Sequence, residues 1–186
     1  MTTMRPLVRR ALERAGLLEL GGRALAGAPL GAADLALLRT ADVLAVAALA
    51  DLVREQRQGD AVTLIDLGDA PDTALEGLAF ARPDLGATDG ATGLEALREV
   101  ALVRLSTPAE RAVAVSFDAL GEGLAQAALT FGASVLVGTM TRRAGPPLHG
   151  RPALPLLDDT ATRTKKAELL GRVERAGRRA HWGLTP

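Results

Sequence analysis

The chain has 186 residues, of which 48% are apolar, and its 22 basic side chains balance 22 acidic ones. This length suits one domain with its own core, and the zero net charge argues against nucleic acid or an anionic membrane surface as the main partner. The absence of cysteine excludes disulfides, thiolate zinc sites, a cysteine nucleophile and iron–sulfur clusters held by cysteine. The two histidines, His149 and His181, are too far apart in the chain for a short histidine metal motif.

The most apolar run, VLAVAALA, lies between Asp42 and Asp51 and is too short to cross a bilayer. The first 22 residues lack the sustained apolar stretch of a signal peptide. Richness in alanine, arginine and glycine with little lysine is typical of a GC-rich bacterial genome. We therefore expect a bacterial protein of the cytoplasm.

An N-terminal helical segment is predicted for residues 1–58. Apolar residues at helical spacing predict helices over 5–15, 32–39 and 42–57. Gly21 and Gly22 are expected to break the first helical region, Asp42 to cap the last helix, and Gly59 to end it.

Residues 59–186 predict strands that alternate with helices. The strands are expected over 61–67, 111–117 and 134–139, with a fourth near 83–88. The helices are expected over 92–105, 120–131 and 162–176, and residues 74–81 form either a short helix or a loop. Thr92 and Glu95 have the spacing of a capping box. This alternation predicts an α/β fold in which helices cover a parallel sheet.

Three aspartates, Asp66, Asp69 and Asp72, follow the first predicted strand. They favour either a cation or substrate site at the carboxyl end of that strand or a solvated turn, since aspartate is a common turn residue. Ser116 and Asp118 would form a hydrolytic triad only if a histidine converged on them. Seven basic residues between 162 and 179 indicate either a phosphate-binding face or a solvated helix.

Four segments, in order, resemble one protein family. They are the stretch from ALAGAPLGAAD (24–34) to GDAVTL (59–64), GLEALREVALVRL (93–105), LAQAALTFGASVLVGT (124–139) and the closing residues 169–184. On these segments the chain resembles the radical S-adenosylmethionine (SAM) enzymes of the futalosine pathway of menaquinone biosynthesis, of the aminofutalosine synthase and dehypoxanthine futalosine cyclase type. It is also similar to the FO synthase subunits of deazaflavin synthesis.

The resemblance implies that the family's chemistry is lost. The family holds a [4Fe–4S] cluster on C-x3-C-x2-C after the first strand, and alignment on Leu78-Ala79-Phe80 places Pro71, Leu75 and Leu78 at those cysteine positions. No cluster or other cofactor and no metal is therefore expected. The family's acidic residues at the carboxyl rim of a barrel strand, in ADDLDGT, are replaced by Ser134, Val135 and Val137.

The resemblance also implies a partial or truncated (β/α) barrel-like parallel sheet preceded by the N-terminal helical segment. A complete (β/α)8 barrel takes about 250 residues, and the middle strands have no counterpart here. We therefore expect a single domain, with helices over 1–58 and a truncated barrel-like core with a C-terminal helix over 59–186. Open sheet edges in such a core favour a protein partner.

Two functions follow as hypotheses. The first is a pseudoenzyme: a non-catalytic partner or regulatory subunit, present as a homodimer or as a heterodimer with a full-length family member. The alternative is a small module that binds a nucleoside or SAM-type ligand without radical chemistry. Its candidate ligand positions are Asp66, Asp69, Gly138 and Thr139, and no catalytic residue is expected.

Overall fold

The computed structural model describes residues 4–67, 76, 78–80, 92–140 and 159–183. The helices are α1 (Pro6–Arg14), α2 (Leu18–Leu25), α3 (Ala32–Thr40), α4 (Val43–Gln58), α5 (Gly93–Ser106), α6 (Phe117–Leu120), α7 (Glu122–Ala128) and α8 (Asp159–Arg175). The strands are β1 (Ala61–Asp66), β2 (Ala79–Phe80), β3 (Val113–Ser116), β4 (Val135–Gly138) and β5 (Arg179–Trp182). A 3-10 turn, Leu129–Phe131, leads from α7 towards β4.

The strands form one parallel sheet in the order β2-β3-β4-β1-β5. The predicted α/β class with a parallel sheet is confirmed. In the centre of the sheet, β1 pairs with β4 on one side and with β5 on the other. The register places Asp66 opposite Gly138 and Leu64 opposite Trp182. Paired residues in register point to the same face of a sheet, so these pairs fix which side chains meet.

The helices of the described residues pack on one face of this sheet. That face carries alternate strand residues such as Val62, Leu64 and Leu136, and the core on it includes side chains from the N-terminal helices as well as from α8. The helical segment and the sheet therefore share one hydrophobic core. The opposite face carries Ile65, Ala114, Val135 and Val137, which are at most 2% exposed.

The predicted helix signals act where they were expected. The Asp42 side chain accepts a hydrogen bond from the Ala45 backbone N–H at 2.9 Å and caps α4. Gly59 ends that helix with a φ of +66°, a backbone conformation that glycine adopts without strain. The Thr92–Glu95 capping box is present at the start of α5.

Two predicted helix boundaries were wrong. Gly21 and Gly22 do not break a helix but lie inside α2. A Cβ at Gly21 would lie 2.9 Å from Leu12 Cδ1, so the missing side chain lets α1 and α2 approach closely. The single helix expected over 120–131 is instead α6, α7 and the 3-10 turn, because Gly121 breaks it with a φ of +75°.

Two strands differ from the predictions. Residues 79–80 belong to β2 and not to a helix or loop, because they pair with Val113 and Ala114 of β3. The strand β5 was missed, since its sequence RAHW is only four residues long and has no β-branched residue. The strand expected near 83–88 lies outside the described residues.

Candidate functional site at the carboxyl edge of the sheet

All five described strands of the parallel sheet end at the same edge, which we call the carboxyl edge. The last residues of the four longer strands are Asp66, Ser116, Gly138 and Trp182. Each of the long helices α4, α5 and α8 leads into a strand, so these helices begin on the carboxyl side and run towards the opposite, amino edge. The carboxyl edge is where α/β sheets and barrels build their ligand sites.

Asp66 is the most buried polar side chain at this edge, with 3% of its side chain exposed. Its Oδ1 accepts a hydrogen bond from the Met140 backbone N–H at 3.0 Å. Its Oδ2 lies 2.8 Å from Lys166 Nζ. One carboxylate therefore connects β1, the residues after β4, and α8.

The ammonium group of Lys166 also lies over an aromatic ring. Its Nζ is 5.3 Å from the centroid of the Trp182 ring, within the range of a cation–π interaction. Trp182 is half-buried, and it faces the same side as Asp66 because it pairs with Leu64, two residues before Asp66 on β1. A carboxylate and an indole thus hold one cation between two neighbouring strands.

The end of β4 is fixed by two carboxylates in succession. The Thr139 backbone N–H donates to Asp118 Oδ2 at 2.8 Å, and the next N–H, that of Met140, donates to Asp66. At Gly138 the Phe117 ring packs directly on the backbone, where a Cβ would lie 2.1 Å from Phe117 Cε2. The side chain of Thr139 is exposed at the rim.

The structure brings together three of the four candidate ligand positions. Asp66 and Gly138 are register partners, and Thr139 follows directly. The fourth, Asp69, lies outside the described residues, as do Asp72 and two of the aligned cluster positions, Pro71 and Leu75. The third cluster position, Leu78, is half-buried beside the face of the sheet away from the helices.

The expected placement of the replaced acidic positions at the carboxyl rim was wrong for Ser134. The strand begins only at Val135, so Ser134 lies at the amino edge, where its hydroxyl accepts a hydrogen bond from Arg104 Nη2 at 3.2 Å. Val135 and Val137 are buried on the face away from the helices.

A serine triad is not assembled from the described residues. Ser116 Oγ accepts the Ala119 backbone N–H and caps α6, while Asp118 binds the Thr139 N–H. His181 lies on β5, and its Nε2 is 3.1 Å from Oγ1 of Thr63 on β1. The strand β5 is three strand spacings, or about 14 Å, away from β3, which carries Ser116. His149 lies outside the described residues.

Four of the seven basic residues of the last helical region form ion pairs with other elements. These pairs are Lys166–Asp66, Arg172–Glu122, Arg178–Asp51 and Arg179–Asp60. Their carboxylate partners lie on α4, α7 and β1 and in the turn before β1. The ion pairs therefore favour a helical region packed against the rest of the protein over a phosphate-binding face.

The amino edge holds a second polar cluster, which the sequence patterns did not indicate. Arg104 is fully buried and donates to Gly132 O at 2.8 Å as well as to the Ser134 hydroxyl. Its further acceptors, Arg111 O and Gln58 Oε1, are uncharged too. Burial, together with the positive charges of Arg57 and Arg54, lowers the pKa of Arg104 to about 10. This cluster connects α4 and α5 with the residues before β4 and stabilises their packing.

The described residues contain no group of three side chains suited to hold a metal ion. Within the same ranges, no helix combines the length and apolar character needed to cross a membrane. Comparison of the chain with protein-family models, with curated proteins and with solved structures identifies no match.

Proposed function

We propose that the chain is a small-molecule-binding module whose ligand, of nucleoside or SAM type, binds at the carboxyl edge without radical chemistry. The observation that carries this proposal is the convergence of Asp66, Gly138 and Thr139 at the ends of two paired central strands. The type of ligand comes from the family resemblance, which stays a prediction.

The strand order supports a truncated barrel as the origin of this edge. In a closed barrel the last strand pairs with the first, and the order β2-β3-β4-β1 is that cyclic order opened between β1 and β2. The helices of the described residues lie on one face, with Ile65, Val135 and Val137 on the other, and this arrangement also matches a barrel wall and its branched interior side chains. We propose that β5 occupies the opening at β1.

The chemistry of the edge suits binding better than catalysis. Both carboxylates, Asp66 and Asp118, are engaged by backbone N–H groups and so are oriented before a ligand arrives. The exposed side chain of Thr139 and the half-buried side chain of Trp182 supply a polar and an aromatic contact at the rim. Few polar groups on a pre-formed, largely apolar frame are typical of ligand sites.

Thermal-shift titration of the full chain with adenosine and with S-adenosylmethionine tests this proposal. At ligand concentrations about tenfold above Kd, binding stabilises by about 1.4 kcal/mol, which raises Tm by about 3–6 °C for a chain of this length. Thr139→Lys places a bulky side chain at the rim and should abolish the shift. Thr130→Lys is the matched control, since Thr130 is also exposed but precedes β4 at the amino edge.

Absence of any shift at millimolar ligand would refute the binding proposal, because even weak sites respond at that concentration. Equal shifts for the Thr139→Lys and Thr130→Lys variants would place the ligand elsewhere on the molecule.

A second candidate function is that of a non-catalytic partner, as a homodimer or beside a full-length family member. Exposed leucines favour it: Leu44 and Leu94 lie in the first turns of the adjacent helices α4 and α5 and are 67% and 49% exposed. Leu37, on α3 and 45% exposed, belongs to a helix that contacts α5. Exposed apolar side chains that cluster mark interaction surfaces more often than single ones do.

Sedimentation velocity over a range of protein concentrations tests the homodimer, and co-purification with a full-length family member tests the heterodimer. Leu44→Ser with Leu94→Ser should weaken either assembly, whereas Leu7→Ser on α1, at 78% exposure, should not. A monomer at all concentrations that captures no such partner would refute this candidate.

A further inference from the structure

Asp66 and Trp182, which surround the Lys166 ammonium, are held in place more firmly than the lysine side chain is. Asp66 and Trp182 stand on β1 and β5, which pair in parallel through four residues each. Asp66 is further held by the Met140 N–H. Lys166, by contrast, reaches this place from α8 on a four-carbon stem and keeps 23% of its side chain exposed. The lysine side chain is therefore the member of this arrangement that reaches water, whereas the carboxylate and the indole stand on paired strands.

A buried carboxylate beside an aromatic face is a receptor for a cation. With 3% of its side chain exposed, the Asp66 carboxylate needs a compensating charge, because an unpaired buried charge is strongly unfavourable. The Trp182 face, at 5.3 Å from Nζ, adds an attraction that is largest for cations with weak hydration. A primary ammonium group can pair with the carboxylate as Lys166 does, and a quaternary ammonium group has the weaker hydration that the aromatic face favours.

We propose that Asp66 and Trp182 form a binding site for the cationic group of an organic ligand, and that Lys166 is a tethered occupant that such a ligand displaces. This inference rests on the proposed ligand-binding role of the carboxyl edge and adds its chemical class, a ligand with a compact ammonium group. Lys166 then acts as an internal competitor. A tethered group is present at an effective concentration of millimolar or more, so it weakens the apparent affinity for any free cation.

Displacement would also free α8 from β1 at one point, since the Lys166–Asp66 pair connects them. The far end of α8 keeps its own connection, because Arg178, just beyond that helix, pairs with Asp51 of α4 at 2.7 Å. Ligand binding is therefore expected to change the position of the first half of α8 more than that of its second half.

The test uses the full chain and the fluorescence of Trp182, which is the only tryptophan. Methylammonium and tetramethylammonium chloride are titrated at constant ionic strength, with sodium chloride as the reference salt. Lys166→Met removes the tethered ammonium and keeps the stem, so it should bind methylammonium at least about tenfold more tightly than the parent chain does. The double variant Asp66→Asn with Lys166→Met is the matched control, and it should lose that binding.

Lys166→Met leaves Asp66 without its ammonium partner, so this variant can be unstable. In that case methylammonium, but not sodium, should restore cooperative unfolding. The inference is overturned if the Lys166→Met variant binds methylammonium no better than the parent chain, if the double variant binds it equally well, or if an unstable variant is not restored. A loss of the nucleoside shift in the parent chain would refute the ligand-binding proposal instead, so the two failures are distinguishable.

Discussion

Replacement of Gly138 by alanine should destabilise the protein because the Phe117 ring occupies the space of the new methyl group. A Cβ at this position would lie 2.1 Å from Cε2 and 2.4 Å from two further ring atoms. Carbon atoms pack at about 3.5–4.0 Å, so the ring would have to withdraw by about 1.4 Å. Phe117 is 6% exposed and belongs to the main core, which leaves it little room to move.

Overpacking of this kind costs about 1–3 kcal/mol and more where the neighbour is rigid, so we expect a loss of about 3 kcal/mol for Gly138→Ala. This corresponds to a fall in Tm of about 6–12 °C for a chain of this length. Urea unfolding, followed by far-ultraviolet circular dichroism and by Trp182 fluorescence, measures the change in the free energy of unfolding.

Gly123→Ala is the matched control. Gly123 lies inside α7, and a Cβ there would meet nothing within 4 Å. This variant should be more stable than the parent chain by about 0.5–1 kcal/mol, because alanine favours helix more than glycine does. Adding Phe117→Leu to Gly138→Ala should recover about 1 kcal/mol or more relative to the sum of the two single changes. Additive losses, or a Gly138→Ala variant as stable as the parent chain, would show that the ring does not pack on Gly138.

Three further changes have defined outcomes. Arg104→Lys keeps the buried charge but loses the planar guanidinium group that donates to several acceptors. It should therefore lower the free energy of unfolding in urea titrations by about 2 kcal/mol. An unchanged urea midpoint would contradict the hydrogen bonds of Arg104. The hydrogen bond from Arg23 and the Gly31 N–H hold the pKa of Asp34 below its ordinary value of 3.8. The parent chain should therefore exceed Asp34→Asn in stability above that value, and the difference should vanish as the pH falls through the lowered pKa, as paired urea titrations at neutral and acidic pH would measure. Thr92→Ala should cost about 1 kcal/mol and Thr92→Ser much less, because the serine hydroxyl keeps the capping bond to the α5 backbone; equal losses in thermal unfolding would contradict that bond.

The parts of the fold that the sequence predicts are those decided by local chemistry. The Asp42 cap, the Thr92 capping box and the Gly59 helix end all depend on residues within four positions of each other. The strand β4 was also predicted, since a short continuous apolar run is a local signal. These signals give the α/β class because helices and strands then alternate along the chain.

The features that were missed depend on partners far away in the chain. The strand β5 has the mixed sequence RAHW, and it exists as a strand because β1 offers it an edge, with Arg179 held to Asp60 at 2.6 Å. In the candidate site, an aspartate after a buried strand was a local signal and Asp66 was singled out. The pairing of Asp66 with Lys166 was not predicted, because it depends on where α8 returns to the sheet.

The two edges of the sheet hold their buried charges in opposite ways, and this contrast is the strongest physical reason to place ligand binding at the carboxyl edge. At the amino edge, Arg104 reaches uncharged acceptors on several elements through a rigid fork, and none of its side chain is exposed. No ligand can replace it without separating α5 from β4. At the carboxyl edge the buried charge, Asp66, accepts a backbone hydrogen bond from Met140, and its partner Lys166 is partly exposed on a four-carbon stem. A ligand displaces an occupant most readily where the receptor is held in place and the occupant reaches water, and in the described part of the protein the carboxyl edge has that arrangement.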